Sequence, residues 1–94
     1  MVICNWDDAK NKINIIKHGV DFVEAATTFN DEDALVIYDE EHSDDEERFI
    51  LIGLSSCGNV LVTCHCYRDN DEVIRIISSR KADKEEALVY FGGK

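Results

Sequence analysis

Apolar and polar positions change their period several times along the chain, and each change marks an element. Val2, Cys4 and Trp6 share one face of a two-residue repeat, which predicts a short strand from Val2 to Trp6. From Ala9 the repeat lengthens. Ala9, Ile13, Ile16 and Val20 recur at helical spacing, with Asp7 placed as N-cap. Gly19, preceded by Lys17 and His18, predicts the stop, with cations at the negative end of the helix. A second short helix is predicted from Asp21, with Glu24 at capping-box spacing, Ala25, Ala26 and Phe29 on its apolar side and Asn30 at its end. Ala34 to Tyr38 reads as a strand and Asp39 to Glu47 as an exposed polar loop. Three strands follow, Arg48 to Leu54, Val60 to Tyr67 and Val73 to Ser78, joined by turns short enough to favour antiparallel neighbours. Asp83 and Glu86 repeat the capping-box spacing. Ala87, Leu88 and Phe91 supply a stripe for the last helix, and Gly92-Gly93 its stop.

The order β-α-α-β-β-β-β-α predicts an α+β fold: an antiparallel sheet with helices packed on one face and the other face open. Residues 1–94 make one small domain without room for a second. Proline is absent, and no linker or repeat interrupts the pattern. With 45% apolar residues the chain has enough to bury, which excludes general disorder. No apolar run reaches the ~18 residues of a membrane span. The first residues lack the basic start and apolar stretch of a secretory signal, so a cytoplasmic location is expected.

Charge adds a local feature. The net charge of −10 argues against simple adhesion to nucleic acid. Half of the twenty acids lie between Asp31 and Glu47, a stretch without Lys or Arg, and the remainder of the chain is balanced. The segment reads as a solvated loop or as a surface that attracts a basic partner.

Strand alternation selects candidate chemistry. Val60, Val62, Cys64 and Cys66 form the small apolar set and are expected to face the core, which sends His65 and Tyr67 to the open face. Arg75 is costly to bury, so its face of the last strand is expected to be open too. Arg48, Arg80 and Lys81 are within reach of the same surface. An imidazole among guanidinium groups suits phosphoryl transfer on RNA. A base takes the 2′-hydroxyl proton, an acid protonates the leaving oxygen, and cations offset the developing charge. The RNA supplies its own nucleophile, so no metal or other cofactor is required. A single strand histidine also fits a structural role, and Arg75 a solvated or ion-paired one. Cys64-His65-Cys66 does not read as a metal site, because alternation puts both thiols opposite the imidazole and no CxxC pair exists. His42, set among acids, reads as part of a solvated loop. No P-loop, dinucleotide fingerprint or serine-nucleophile motif is present.

Several segments in order resemble the BrnT family of toxins from type II toxin–antitoxin systems. They are Trp6-Asp7-Asp8-Ala9-Lys10 with Asn14, Lys17-His18-Gly19-Val20, Phe22-Val23-Glu24-Ala25-Ala26, Glu47-Arg48-Phe49 and Ile52-Gly53. Ile74-Arg75-Ile76-Ile77-Ser78-Ser79-Arg80-Lys81-Ala82 follows, with Glu86 and Tyr90. The resemblance implies a RelE-like fold and a metal-independent ribonuclease that arrests translation. It implies a BrnA-type ribbon-helix-helix antitoxin, and operator DNA bound only through that antitoxin. Carried over, it assigns His65 to acid/base chemistry and Arg48, Arg75 and Arg80 to phosphate and transition-state contacts. It gives Tyr90 a stacking or proton-donating role, and brings Lys17 and His18 in as further contacts. Two departures count against it. The last helix is less basic than is usual in the family, which favours packing or antitoxin contact there. The acidic segment must point away from the RNA face or it repels substrate. Two alternatives are an inactive partner that serves as co-repressor and a cysteine-based metal or redox module.

Overall fold

A computed structural model of the chain describes residues 3–92. Val2, expected to open the first strand, and Gly93, expected to end the last helix, lie outside the described residues. Strand β1 spans Ile3–Asn5, helix α1 Asp8–His18 and helix α2 Phe22–Thr27, which a 3-10 turn extends over Thr28–Asn30. Strands β2 (Leu35–Tyr38), β3 (Phe49–Leu54), β4 (Val60–Arg68) and β5 (Val73–Lys81) follow, then helix α3 (Lys84–Gly92). The acidic loop between β2 and β3 contains one 3-10 turn, Glu40–His42.

Local chemistry sets the helix ends. Asp7 accepts the Lys10 N–H at 3.1 Å, and Gly19 ends α1 with φ at 71° and its N–H on the Ile15 carbonyl at 2.8 Å. That φ is cheap only for glycine. Asp21 caps α2 through the Val23 N–H at 2.9 Å. Glu24 does not close a capping box there. It reaches the turn after β3, where it accepts from Ser55 Oγ at 2.7 Å and Asn59 Nδ2 at 2.8 Å. At α3 the box is reciprocal: Asp83 accepts the Glu86 N–H at 2.8 Å and Glu86 the Asp83 N–H at 2.9 Å.

The five strands lie in the order β1-β5-β4-β3-β2. Strands consecutive from β2 to β5 pair antiparallel, but β1 pairs in parallel with β5, Ile3 opposite Val73 and Asn5 opposite Arg75. The sheet is therefore mixed, not wholly antiparallel. Turn length constrains consecutive strands only, and these two come from opposite ends of the chain.

Helices also cover both faces, which corrects the expected one-sided packing. Val20, Phe22 and Ala25 bury one face against Leu61 and Ile76, with Cys4, Trp6, Phe29 and Ile74 around them. On the other face Tyr90 of α3 packs on Ile52 and Val62, flanked by Ile50, Val60 and Ala82. The central strands are apolar on both sides, so each side needs a cover.

The helices turn unexpected sides inward. Ile13 and Ile16 of α1 are 61% and 87% exposed, and the buried residue of that helix is Asn14. Its Nδ2 donates to the Val20 and Ser79 carbonyls at 2.9 and 2.8 Å, and its Oδ1 accepts the Ser79 N–H at 3.1 Å. One amide thus ties α1 to β5. On α3, Leu88 and Phe91 face outward while Tyr90 is buried.

The pairing of β4 with β5 slips once. Cys64 lies opposite Ser78, but His65 lies opposite Ile76, so Ile77 is the extra residue of a bulge. The bulge returns Ser79 to the same side as Ile76, where its hydroxyl meets Thr63 Oγ1 at 2.9 Å.

Candidate active site

A groove of about 310 Å³ opens on the α3 side of the sheet, beyond the end of the sheet that α3 covers. Its floor crosses three strands: Ile50 on β3, Val62 and Cys64 on β4, and Ile77 at the bulge of β5. Arg48 lines it from the loop end just before β3, Arg80 from β5, His18 from the end of α1, and Asp39 and His42 from the acidic loop. A larger hollow, about 520 Å³, is lined by Glu46, Glu47, Phe49, Tyr67 and Asp71. Three carboxylates and no cation make that hollow hostile to a phosphate. The smaller groove is the site that charge favours.

The structure brings together three of the residues expected from sequence: Arg48, Arg80 and His18. Lys17 lines a smaller adjoining hollow of about 170 Å³ that shares His18, Ile77 and Ser78 with the groove. Lys81 is exposed at the end of β5, opposite Leu61, and does not line the groove.

Three expectations fail. His65 is not on an open face: it has no exposed surface. It pairs with Ile76 and packs edge-on against Phe29 at 4.8 Å, under α2 and its 3-10 extension. Its Nδ1 lies 3.4 Å from the Thr63 carbonyl and its Nε2 3.3 Å from the Tyr67 hydroxyl. Burial pulls its pKa below 6.5, which keeps the imidazole neutral. It is a satisfied core histidine. Of the expected inward set Val60, Val62, Cys64 and Cys66, Val62 and Cys64 line the groove instead, while Cys66 is buried.

Arg75 stands five residues from Arg80, roughly 17 Å along an extended strand, and donates to Asn5 Oδ1 at 3.2 Å on β1. It does not join the groove. Tyr90 is buried and donates to Asp31 Oδ2 at 2.6 Å. That bond, with burial, pushes its pKa up to about 12, so it is a poor proton donor.

Electrostatics within the groove are uneven. Glu86 grips Arg80 through two bonds, Nη1 to Oε1 at 2.7 Å and Nη2 to Oε2 at 2.8 Å. The Arg80 guanidinium holds the Glu86 carboxyl down at about pKa 2. Among the described residues no acid pairs with the Arg48 guanidinium within ion-pair distance. Its charge acts on Cys64, whose thiol burial nonetheless pushes up in pKa. Burial thus favours the thiol form of Cys64 on the groove floor. Among the described residues no group of three His, Cys, Asp or Glu side chains is placed to hold a metal ion.

The acidic loop does not point away from the groove. Asp39 and His42 are part of its rim, and a neighbouring acidic hollow shares His42 and Arg48 with it. Sequence reasoning set His42 aside as solvated. The signal was the three-residue interval from Asp39 to His42, which a single helical turn converts into contact.

The family model for the ribonuclease toxin, BrnT, of type II toxin–antitoxin systems matches residues 6–86. The chain also resembles the crystal structure of the Brucella abortus ribonuclease toxin BrnT, with a TM-score of 0.68 and 24% identity over 89% of this chain and 100% of that one. No curated protein sequence matches it.

Proposed function

The chain belongs to the BrnT family of ribonuclease toxins of type II toxin–antitoxin systems, and we propose that it cleaves RNA in the groove between α1 and the acidic loop without a metal ion. The observation that carries this reading is the convergence of Arg48, just before β3, and Arg80 of β5, with His18, on one groove. Two guanidinium groups suit a phosphodiester, which they hold through its non-bridging oxygens while charge grows on them. Arg48 offers its charge directly. Arg80 is held in place by Glu86, so a phosphate must compete with that carboxylate for it.

The partner is an antitoxin of the BrnA type, with a ribbon-helix-helix domain that carries the pair to operator DNA. The fold is RelE-like and the site of action cytoplasmic. Among the described residues no helix is long and apolar enough to cross a membrane. A second reading, an inactive co-repressor, draws on the carboxylate grip on Arg80 and the acidic balance.

One experiment separates the two readings. Purified protein is incubated with a defined messenger RNA in low salt with EDTA, both free and in a translating extract. Wild type is expected to cleave, and Arg48→Ala and Arg80→Ala to lose about 10²–10³-fold in rate, the scale for losing one charge-stabilising donor. Arrest of growth should fall in parallel, with antitoxin binding retained. Absence of cleavage in both settings rejects the ribonuclease reading and leaves the co-repressor. Wild-type rates in both variants reject the groove.

A further inference from the structure

We infer that His42, oriented by Asp39, is the general base of the groove and that His18 is its general acid, which deepens the ribonuclease reading and rests on it. With His65 buried, the chemistry lacks a proton acceptor unless another group supplies one. The groove holds two imidazoles, and they come from different elements.

His42 is built for the task. Its Nδ1 lies 2.9 Å from Asp39 Oδ2, which fixes the ring's orientation and leaves Nε2 as the outward nitrogen. The His42 side chain is 60% exposed, whereas Asp39 is only 11% exposed. A reachable imidazole backed by a nearly buried carboxylate is the arrangement of an oriented base. The loop under it is pinned as well. The Asp39 N–H donates to the Arg48 carbonyl at 2.9 Å, Ser43 Oγ donates to the Asp39 carbonyl, and the Arg48 N–H donates to Ser43 Oγ at 3.0 Å. The dyad therefore sits at a closed hairpin mouth, directly beside Arg48.

His18 stands on the other side. The floor runs from β3, next to the loop, across β4 to β5, next to α1. Two interstrand spacings, about 10 Å, separate the outer strands and leave space for one phosphodiester. The charged groups facing this space are Asp39, Arg48, Arg80 and the two histidines, with Cys64 on the floor.

The step balances without a co-reactant. His42 Nε2 takes the proton of the 2′-hydroxyl as the O2′–P bond forms. The P–O5′ bond breaks, and the leaving 5′-oxygen takes a proton from the His18 imidazolium. The products are a 2′,3′-cyclic phosphate and a free 5′-hydroxyl. Arg48 and Arg80 bear the charge on the non-bridging oxygens, and solvent exchange restores both imidazoles.

The test is single-turnover cleavage of a defined RNA by wild type, His42→Ala, His42→Gln, His18→Ala and Asp39→Asn, with RNA binding measured alongside. A matched substrate carries sulfur in place of the 5′-oxygen, a leaving group that needs no proton. Each histidine variant is expected to lose about 10²–10⁴-fold in rate while binding stays within a few-fold. The sulfur substrate should restore His18→Ala and leave His42→Ala slow. Asp39→Asn should lower kcat without raising KM, as expected of a positioning residue. Wild-type cleavage with unimpaired His42 variants overturns the assignment and leaves the ribonuclease reading standing. Rescue of His42→Ala by sulfur instead of His18→Ala overturns the assigned roles. No cleavage by wild type, free or in a translating extract, overturns both readings.

Discussion

His65 and His42 show how the same side chain is given opposite work by its surroundings. His65 is enclosed by Phe29, Phe49 and Tyr67, ring to ring at 4.8, 6.1 and 5.3 Å. Desolvation penalises its imidazolium, and the Thr63 carbonyl, which favours the charged form, only partly offsets this. The folded-state pKa lies below the unfolded value of 6.5, so below that pH the unfolded chain binds more protons. The stability that His65 contributes is complete above 6.5 and is lost as pH falls through the folded pKa. His65→Leu removes the titrating group, so its stability is expected to vary less as pH falls below 6.5 than that of wild type. Urea midpoints across that range check this. Equal slopes in the two proteins would mean that the ring is not held neutral.

At the scale of elements, Glu86 links α3 to the groove. One carboxylate closes the capping box with Asp83 and grips Arg80 on β5. Its folded pKa of about 2 lies below the ordinary 4.5, so the contribution is full above 4.5 and disappears as pH falls toward 2. Glu86→Gln should flatten the acid limb of stability in that window, and it should free Arg80 for phosphate. Denaturation midpoints taken stepwise through the window test it, and an unchanged acid limb would refute the grip. Features of this local kind were legible in sequence. Asp7, Gly19 and the Asp83–Glu86 box depend on neighbours within four residues, and all three formed as read. Faces and register were not legible. Leu61, Thr63 and His65 look like the polar set until Ser79, Asn14 and the aromatic rings supply their partners. The β1–β5 pairing joins residues some seventy positions apart, and the bulge at Ile77 leaves no mark in composition. The candidate site followed the same division. Arg48 and Arg80 stood out as cations beside strand ends and His18 through the family resemblance, and the fold brings the three to one groove. His65, Arg75 and Tyr90 were misplaced because their neighbours are remote in sequence. His42 reads as solvated from sequence because its one signal, the three-residue interval to Asp39, sits in a loop with no longer periodicity.

For the molecule as a whole, charge sets what approaches the groove. The net charge is −10, and half of the acids belong to the segment that ends at Glu47, beside Arg48. His42 and Arg48 border both the groove and a hollow lined by Glu41, Asp44, Asp45 and Glu46. A polyanion reaching the groove meets repulsion at its rim, so long-range attraction to RNA is weak. With Arg48 and Arg80 as its phosphate contacts, the slope of log affinity on log salt should be no steeper than about −1.4 for single-stranded RNA. A basic antitoxin surface meets the reverse field. Such a surface is expected to be drawn toward the same rim, which speeds its association. Substitution of Asp44, Asp45, Glu46 and Glu47 by their amides should slow association by about ten-fold at low salt and flatten its salt dependence, with a much smaller change in dissociation. Stopped-flow mixing with the cognate antitoxin at several ionic strengths reads both rates. If association keeps its rate and its salt dependence in the amide variant, the acidic loop does not steer the partner.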